Sequence, residues 1–311
     1  MNNSSVSGGG HARELGVYLL TPTHVGTGQA VGAIDLPIAR EVHTQWPVIP
    51  STALKGVARD RVEAGDRESG AAIALFGPRP PQKSGGEVSL KPGGLIFTDA
   101  QILAFPVASV SAPFYWVTSP MVIARWARAR RAWGLRVPDV LPTDPTATFS
   151  PEGVLVLGDQ VVRTDGGWTA RSAALREVAK HWTALVPAED GVAASMAGTL
   201  VCVDDATFGL LVTAGTAVNA RVQLTDGKTT DTFTPEGGGE QKGNLWYEET
   251  LPSDCLFSAI LAIRPSGGGK GAPEALETLV GALGGAAGCR LQVGGNETVG
   301  QGVFWWRTGA A

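Results

Sequence analysis

The chain has 311 residues, 43% of them hydrophobic, enough for a sizeable core and unlike the composition of a disordered chain. A net charge of −4 departs from the basic balance of a generic nucleic-acid binder, although an average conceals local patches. No apolar run approaches the ~20 residues needed to span a bilayer.

Met1–Gly10 is polar and Gly/Ser-rich, with neither a basic nor an apolar region, so residues 1–13 read as a flexible leader rather than a signal peptide. The expected location is the cytoplasm. Residues 15–21 (LGVYLLT), short, apolar and closed by Pro22, predict a buried strand. A Gly-rich loop follows from Thr23 to about Pro50. Ser51 or Thr52 then caps a helix over Ala53–Ala64 that ends near Gly65. Residues 94–105 (GLIFTDAQILAF) return as a strand pair or one bulged strand.

The closing segment mirrors this order. Residues 256–264 (LFSAILAIR) predict a strand, and Pro273–Leu283 a helix with Glu274 and Glu277 near its N-terminus. Residues 289–293 (CRLQV) form a last strand before the turn GGNETVGQG. Two β-α-β halves, 14–105 and 256–308, make a ferredoxin-like sheet backed by helices. Residues 106–255 are then a large insertion, with helices at Pro120–Trp133 and Ala173–Val186. A hairpin at Asn219–Gly243, with Asp226-Gly227 and a Gly237–Gly239 tip, reads as a protruding, mobile loop. One elaborated domain over 1–311 fits better than two.

Cys202, Cys255 and Cys289 are widely spaced without a CxxC pair, so they read as small buried hydrophobes rather than disulfides or zinc ligands. Gly26, Gly28 and Gly32 do not make a dinucleotide fingerprint, since no helix follows them. Neither they nor Gly267–Gly271 lead into a Walker Gly-Lys-Ser/Thr. They serve either as turns or as a nest of N–H groups for phosphate. Asp35, between Ile34 and Leu36-Pro37, either satisfies loop amides or ligates a divalent ion. His24 and His43 are candidate bases or phosphate contacts, or ordinary loop histidines. Lys55 and Arg59, one helical turn apart, suit either phosphate or solvent, and so do Arg125, Arg128, Arg130, Arg131 and Arg136. Trp126 and Trp133 beside that cluster are candidate base-stacking platforms.

Several stretches together resemble a known family: Thr21-Pro-Thr-His24, the Gly26–Gly32 loop, Asp35-Leu-Pro-Ile38, Arg40-Glu41, His43-Thr44, Pro47–Pro50 and Leu54-Lys55-Gly56. Leu245–Glu249 with Leu251-Pro252, and Gly294–Gly302, agree in the same order. They resemble the backbone subunit of type III-B (Cmr) CRISPR effector complexes, in the RAMP superfamily of RNA-binding proteins. The resemblance implies an α+β fold, an RRM-type palm with finger and thumb insertions, the thumb being the Asn219–Gly243 hairpin. It implies copies stacked as a filament along guide RNA with other effector subunits, no membrane contact, and cleavage of complementary target RNA at regular intervals. It places Asp35 as the catalytic aspartate and ligand of Mg2+ or Mn2+, with His24 and Glu248 at the same site. RNA contacts implied are Lys55, Arg59, Arg40, His43, Asn219, Arg221, Gly294, Gly295, Gly300 and Gly302. A guide scaffold without cutting, or a metal-free guide-processing ribonuclease, are the alternatives within the superfamily. A small-substrate metal hydrolase outside it would need a closed metal cluster, for which only four histidines are available.

Overall fold

The computed structural model describes residues 12–28, 33–64, 70–79, 92–139, 141, 154–163, 168–233, 242–264 and 272–309. The described chain opens with β1 (Ala12–Leu19) and the short β2 (Val48–Ile49), which leads into α1 (Ser51–Glu63) and α2 (Gly70–Phe76). β3 (Leu95–Phe97), β4 (Ala100–Ala108), β5 (Phe114–Thr118) and α3 (Pro120–Ala132) follow. A hairpin of β6 (Val154–Leu157) and β7 (Gln160–Arg163) precedes α4 (Trp168–Thr183), α5 (Val192–Thr199), β8 (Leu200–Cys202) and α6 (Asp205–Ala214). Next comes an arm: β9 (Ala217–Val222), β10 (Thr232–Phe233), β11 (Lys242–Gly243) and β12 (Leu245–Thr250). β13 (Leu256–Ile263), α7 (Ala272–Ala282), β14 (Cys289–Gln292) and β15 (Val303–Thr308) complete it.

One sheet holds nine of these strands in the order β14-β15-β1-β13-β4-β5-β8, with β2 added to β4 and β3 to β13. The two ends of the chain therefore meet at its centre, where Leu15 lies opposite both Ala259 and Thr308. Every residue of β13 (LFSAILAI) is buried, as expected of an apolar run covered on both faces. Alternation puts Phe257, Ala259 and Leu261 on one face, and Ser258, Ile260 and Ala262 on the other. α7 packs on β13 and α1 on β3 and α7, while α3 covers β4 and β13. Beyond α4, Leu185 presses on Gly16, where a Cβ would fall 2.5 Å from the leucine Cβ; only glycine admits that approach.

Helix caps are mostly local. Ser119 accepts from the Val122 N–H at the start of α3, and Asp204 does the same for Thr207 in α6. At α1 the expected side-chain cap is absent. Ser51 is already helical, and its N–H donates to Asp99 Oδ1 at 2.7 Å across the sheet edge.

Other expectations shift as well. Ala12 and Arg13, assigned to the leader, are the first residues of β1, because they pair with Ala262 and Leu261. CRLQV is not the last strand, since β15 follows it and joins β14 to β1. β5 and β8, within the expected insertion, extend the central sheet. The arm is a ladder of Ala217–Val222 with Leu245–Thr250, so the predicted Asn219–Gly243 hairpin covers mainly its outer part. The leader's residues 1–11, Gly32, the Gly237–Gly239 tip and Gly267–Gly271 lie outside the described residues. Cys202 and Cys255 are buried and unpaired, Cys289 partly buried, as small hydrophobes.

Candidate functional site

The loop between β1 and β2 is folded onto the arm by main-chain bridges. Thr23 and Leu251 exchange N–H···O bonds of 3.0 and 2.9 Å. Further on, Leu36 runs parallel to Glu248, donating to Tyr247 O and accepting from the Glu249 N–H, both at 3.0 Å. Gly26 bridges Ile38, closing the loop on itself. This brings the unusual Thr21–Pro50 segment against one strand, β12.

Asp35 sits exposed at the rim of that junction, and its Oδ2 accepts from the Tyr247 N–H at 2.7 Å. Its Oδ1 has no hydrogen bond among the described residues. His24 is half-buried, with Nδ1 2.7 Å from Glu249 O. A carbonyl only accepts, so Nδ1 carries the proton there and Nε2 keeps its lone pair in the neutral ring. A Cβ on Gly26 would fall 2.6 Å from that Nε2, so a larger residue there would press on the ring. Beneath His24 lies the closing Gly-rich loop. Gly294 has φ +83° and a Cβ there would strike His24 O at 2.0 Å, while the Gly295 N–H donates to the same oxygen at 3.1 Å. Gly302, also at positive φ, donates to Pro22 O at 3.0 Å, and Gly300 turns the loop in the left-handed region.

Glu248, 4% exposed, completes the group. Its Oε1 accepts from Asn296 Nδ2 and is approached by Arg221 at 3.5 Å. Asn219 stands opposite Glu248 in the ladder, its Nδ2 3.4 Å from Thr250 Oγ1. The structure thus gathers Asp35, His24, Glu248, Asn219, Arg221, Gly294 and Gly295 at the foot of the arm.

Of the other expected contacts, Arg40 and Arg59 are engaged inside the protein. Arg40 donates to Glu249 Oε1 at 2.6 Å and to Gln45 O at 2.8 Å, and Thr216 Oγ1 and the Ile38 N–H complete the Glu249 carboxylate at 2.7 and 3.0 Å. Burial alone would raise the Glu249 carboxyl, but the bonds from Arg40 and Thr216, the Arg40 charge and the Ile38 N–H hold it below its ordinary value. Arg59 is bound by Glu63 at 2.6 Å and by Gly77 O at 3.0 Å. Lys55, half-buried on α1, makes no hydrogen bond or ion pair among the described residues. Burial, reinforced by the Arg59 charge, lowers the pKa of its ammonium. His43 stands 73% exposed on a turn held by Glu41, which Arg125 grips through both oxygens. Arg125 also covers the Trp46 ring at 5.6 Å. In the Arg-rich segment, Arg130 is buried against Glu14, and only Arg128, Arg131 and Arg136 face solvent. Trp126 is buried and Trp133 packs partly buried against Ala12, Leu135, Ile260 and Ala262, so base stacking by Trp126 is ruled out.

Among the described residues, no three His, Cys, Asp or Glu side chains form a ready metal cage. Magnesium and manganese, however, are commonly held by one or two carboxylates together with substrate phosphate oxygens. Exposed Asp35, with one oxygen fixed and the other open, fits that single-ligand role.

A model of the RAMP superfamily matches residues 17–305. The chain belongs to the RAMP superfamily. The CRISPR system Cmr endoribonuclease Cmr4 of Pyrococcus furiosus is 33% identical over 297 residues, 93% of this chain and 92% of that protein. The crystal structure of oligomeric Cmr4 from Pyrococcus furiosus overlays with a TM-score of 0.69 at 26% identity, covering 97% of this chain and 99% of that one. A chain of the type III-B Cmr-beta bound to cognate target RNA shares the fold, with a TM-score of 0.68 at 17% identity over 96% of each chain. The mixed α+β architecture is that of a RAMP protein, with the ferredoxin-like core at the centre of the sheet.

Sequence reasoning singled out the glycines of GGNETVGQG but not Asn296, and Glu248 but not the roles of Glu249, Thr216 or the Tyr247 N–H. The usable signal for Asn296 was an asparagine among glycines, the residue most tolerant of a left-handed backbone after glycine itself.

Proposed function

We propose that this chain is a guide-RNA-binding backbone subunit of a type III-B CRISPR effector complex in the cytoplasm. Copies stack along the guide, and the chain cuts complementary target RNA at regular intervals with Mg2+ or Mn2+. The convergence of Asp35, His24 and Glu248 on the arm that carries Asn219 and Arg221 carries this reading. Kinship with a Cmr endoribonuclease, and with a chain from a target-bound Cmr assembly, supports the reaction class and the partners.

Within the site, the Tyr247 N–H orients the Asp35 carboxylate so that its free oxygen faces outward. A divalent ion shared by Asp35 and the RNA would supply charge neutralisation at the scissile phosphate. His24 Nε2, its tautomer fixed by Glu249 O, accepts a proton from the attacking hydroxyl. Glu248 and Arg221 shape the wall against which a nucleotide rests. Lys55 and the main chain of Gly294, Gly295, Gly300 and Gly302 lie against phosphates of the guide. His43 reaches RNA from its exposed turn. Pairing between guide and target selects sequence, so the protein need read only RNA shape and backbone.

The test is a complex reconstituted with guide RNA, comparing wild type with Asp35→Ala on a complementary target in Mg2+ or Mn2+. Evenly spaced cuts should fall by at least about 100-fold in the variant while target binding persists. Parallel loss of binding and cutting would make Asp35 structural. Binding without cutting in wild type would leave a guide scaffold as the better account.

A further inference from the structure

We infer that Asn296 is a positioning residue for the cleavage site, coupling the closing Gly-rich loop to Glu248. The inference rests on the reading of Glu248 as part of that site. Asn296 has φ +65° between Gly295 and a single 3-10 turn, Glu297–Val299. Its main-chain oxygen accepts from Val299 and Gln301 N–H groups at 3.1 and 3.2 Å, which fixes the residue in place. The side-chain amide then divides its two hydrogens. Nδ2 donates to Glu248 Oε1 and, at 2.9 Å, to Gln301 Oε1. Both acceptors are oxygens, so the NH2 end must face them.

The same Glu248 oxygen is approached by Arg221 at 3.5 Å. The Asn296 amide is thus the closest donor to a carboxylate that is 4% exposed. The neighbouring Gly295 N–H holds His24 O. One turn of the loop therefore bears on two members of the site at once. Any displacement of that turn moves the His24 main chain and the Glu248 carboxylate together.

Asparagine in a left-handed position invites a plainer explanation, that it is there only for its backbone, and substitution separates the two. Asn296→Gly keeps the backbone preference and deletes the donor; Asn296→Asp keeps the shape and turns a donor into an acceptor facing two oxygens. A backbone role alone makes Asn296→Gly neutral.

The experiment uses the reconstituted guide complex and measures single-turnover cleavage at saturating target, together with target Kd. The variants are Asn296→Gly, Asn296→Asp, Glu248→Ala, the Asn296→Gly/Glu248→Ala double variant, and Asp35→Ala as control. Asn296→Gly should cut about tenfold more slowly with Kd within about twofold, and Asn296→Asp more slowly still. In the Glu248→Ala background Asn296→Gly should add nothing, since the group it positions is gone. Losses that multiply in the double variant, a neutral Asn296→Gly, a loss confined to Kd, or a Glu248→Ala complex that cuts like wild type would each overturn the assignment. Those outcomes leave the nuclease reading standing if Asp35→Ala remains inactive. A wild-type complex that never cuts overturns both.

Discussion

Glu14 and Glu248 are almost equally buried carboxylates, 2% and 4% exposed, in very different company. Glu14 accepts from Trp126 Nε1 and Ser258 Oγ on one oxygen and from Arg130 on the other, and Arg130 in turn donates to Arg136 O. The charged groups beneath α3 are answered within the fold, although Trp182 Nε1, beside Trp126, has no hydrogen-bond partner among the described residues. At the foot of the arm, Glu248 meets the Asn296 amide and a distant Arg221, while Asp35 keeps one oxygen and His24 one ring nitrogen without a partner among the described residues. A fold that matches its charges so closely under α3 leaves carboxylate and imidazole atoms open at the foot of the arm. The motif residues of the sequence divide between these two regimes, and only the structure shows which belong to which.

The sharpest way to break the contrast is Glu14→Ala. It strands the Arg130 guanidinium, 5% exposed, and should cost about 3–5 kcal/mol in urea unfolding. Asp35→Ala, by comparison, should move the same midpoint by no more than about 0.5 kcal/mol, because the residue is exposed. Arg40→Ala should cost about 2–4 kcal/mol, since it leaves Glu249 buried with Thr216 and the Ile38 N–H but no charge partner. If thermal melts of Arg40→Ala match wild type while RNA affinity drops, Arg40 belongs to the RNA surface after all.

Acid should act on the internal pairs. The folded carboxyls of Glu249 and Glu41 lie below their ordinary value of 4.5; for both, hydrogen bonds and arginine charge outweigh the opposing effect of burial. Their stabilisation is therefore fully present above that value and is lost as pH falls through the depressed folded values. Unfolding midpoints measured from about pH 6 to about pH 3 should decline, and Arg40→Ala should flatten part of that decline. The smallest effect belongs to Lys55→Ala. Stability should change by less than about 0.5 kcal/mol, and the slope of log affinity against log salt should shrink by about 1. An unchanged slope would remove Lys55 from the RNA path.

Much of the architecture was legible because β1, α1, β4, β13 and α7 carry strong apolar patterns with turn residues at their ends. β15 was not, although VFWWRT alternates partly buried and buried positions throughout: it follows so closely on a Gly-rich turn that the chain seemed to end in loop. The arm's true base was hidden because Asp226-Gly227 and the Gly-rich tip are louder turn signals than the ladder of Val218 and Glu249 beneath them. At the site, the resemblance pointed to Asp35, His24 and Glu248, whose meeting depends on bridges from Thr23 to Leu251 and from Leu36 to β12. The ion pair of Arg40 was hidden for the opposite reason. Its partner Glu249 is 209 residues away, and no local pattern distinguishes an arginine that meets a buried carboxylate from one that meets phosphate.

The order of strands in the sheet has a consequence for biosynthesis. β1 is translated first, yet both its neighbours, β13 and β15, come from the far end of the chain. Such non-local pairing waits for late segments and folds slowly. The loop that carries His24 and Asp35 likewise leaves the ribosome long before Gly294 and Gly295 exist to support it. The nascent chain therefore holds the aspartate without the floor beneath its histidine. The proposed site is complete only once the last strands have been made.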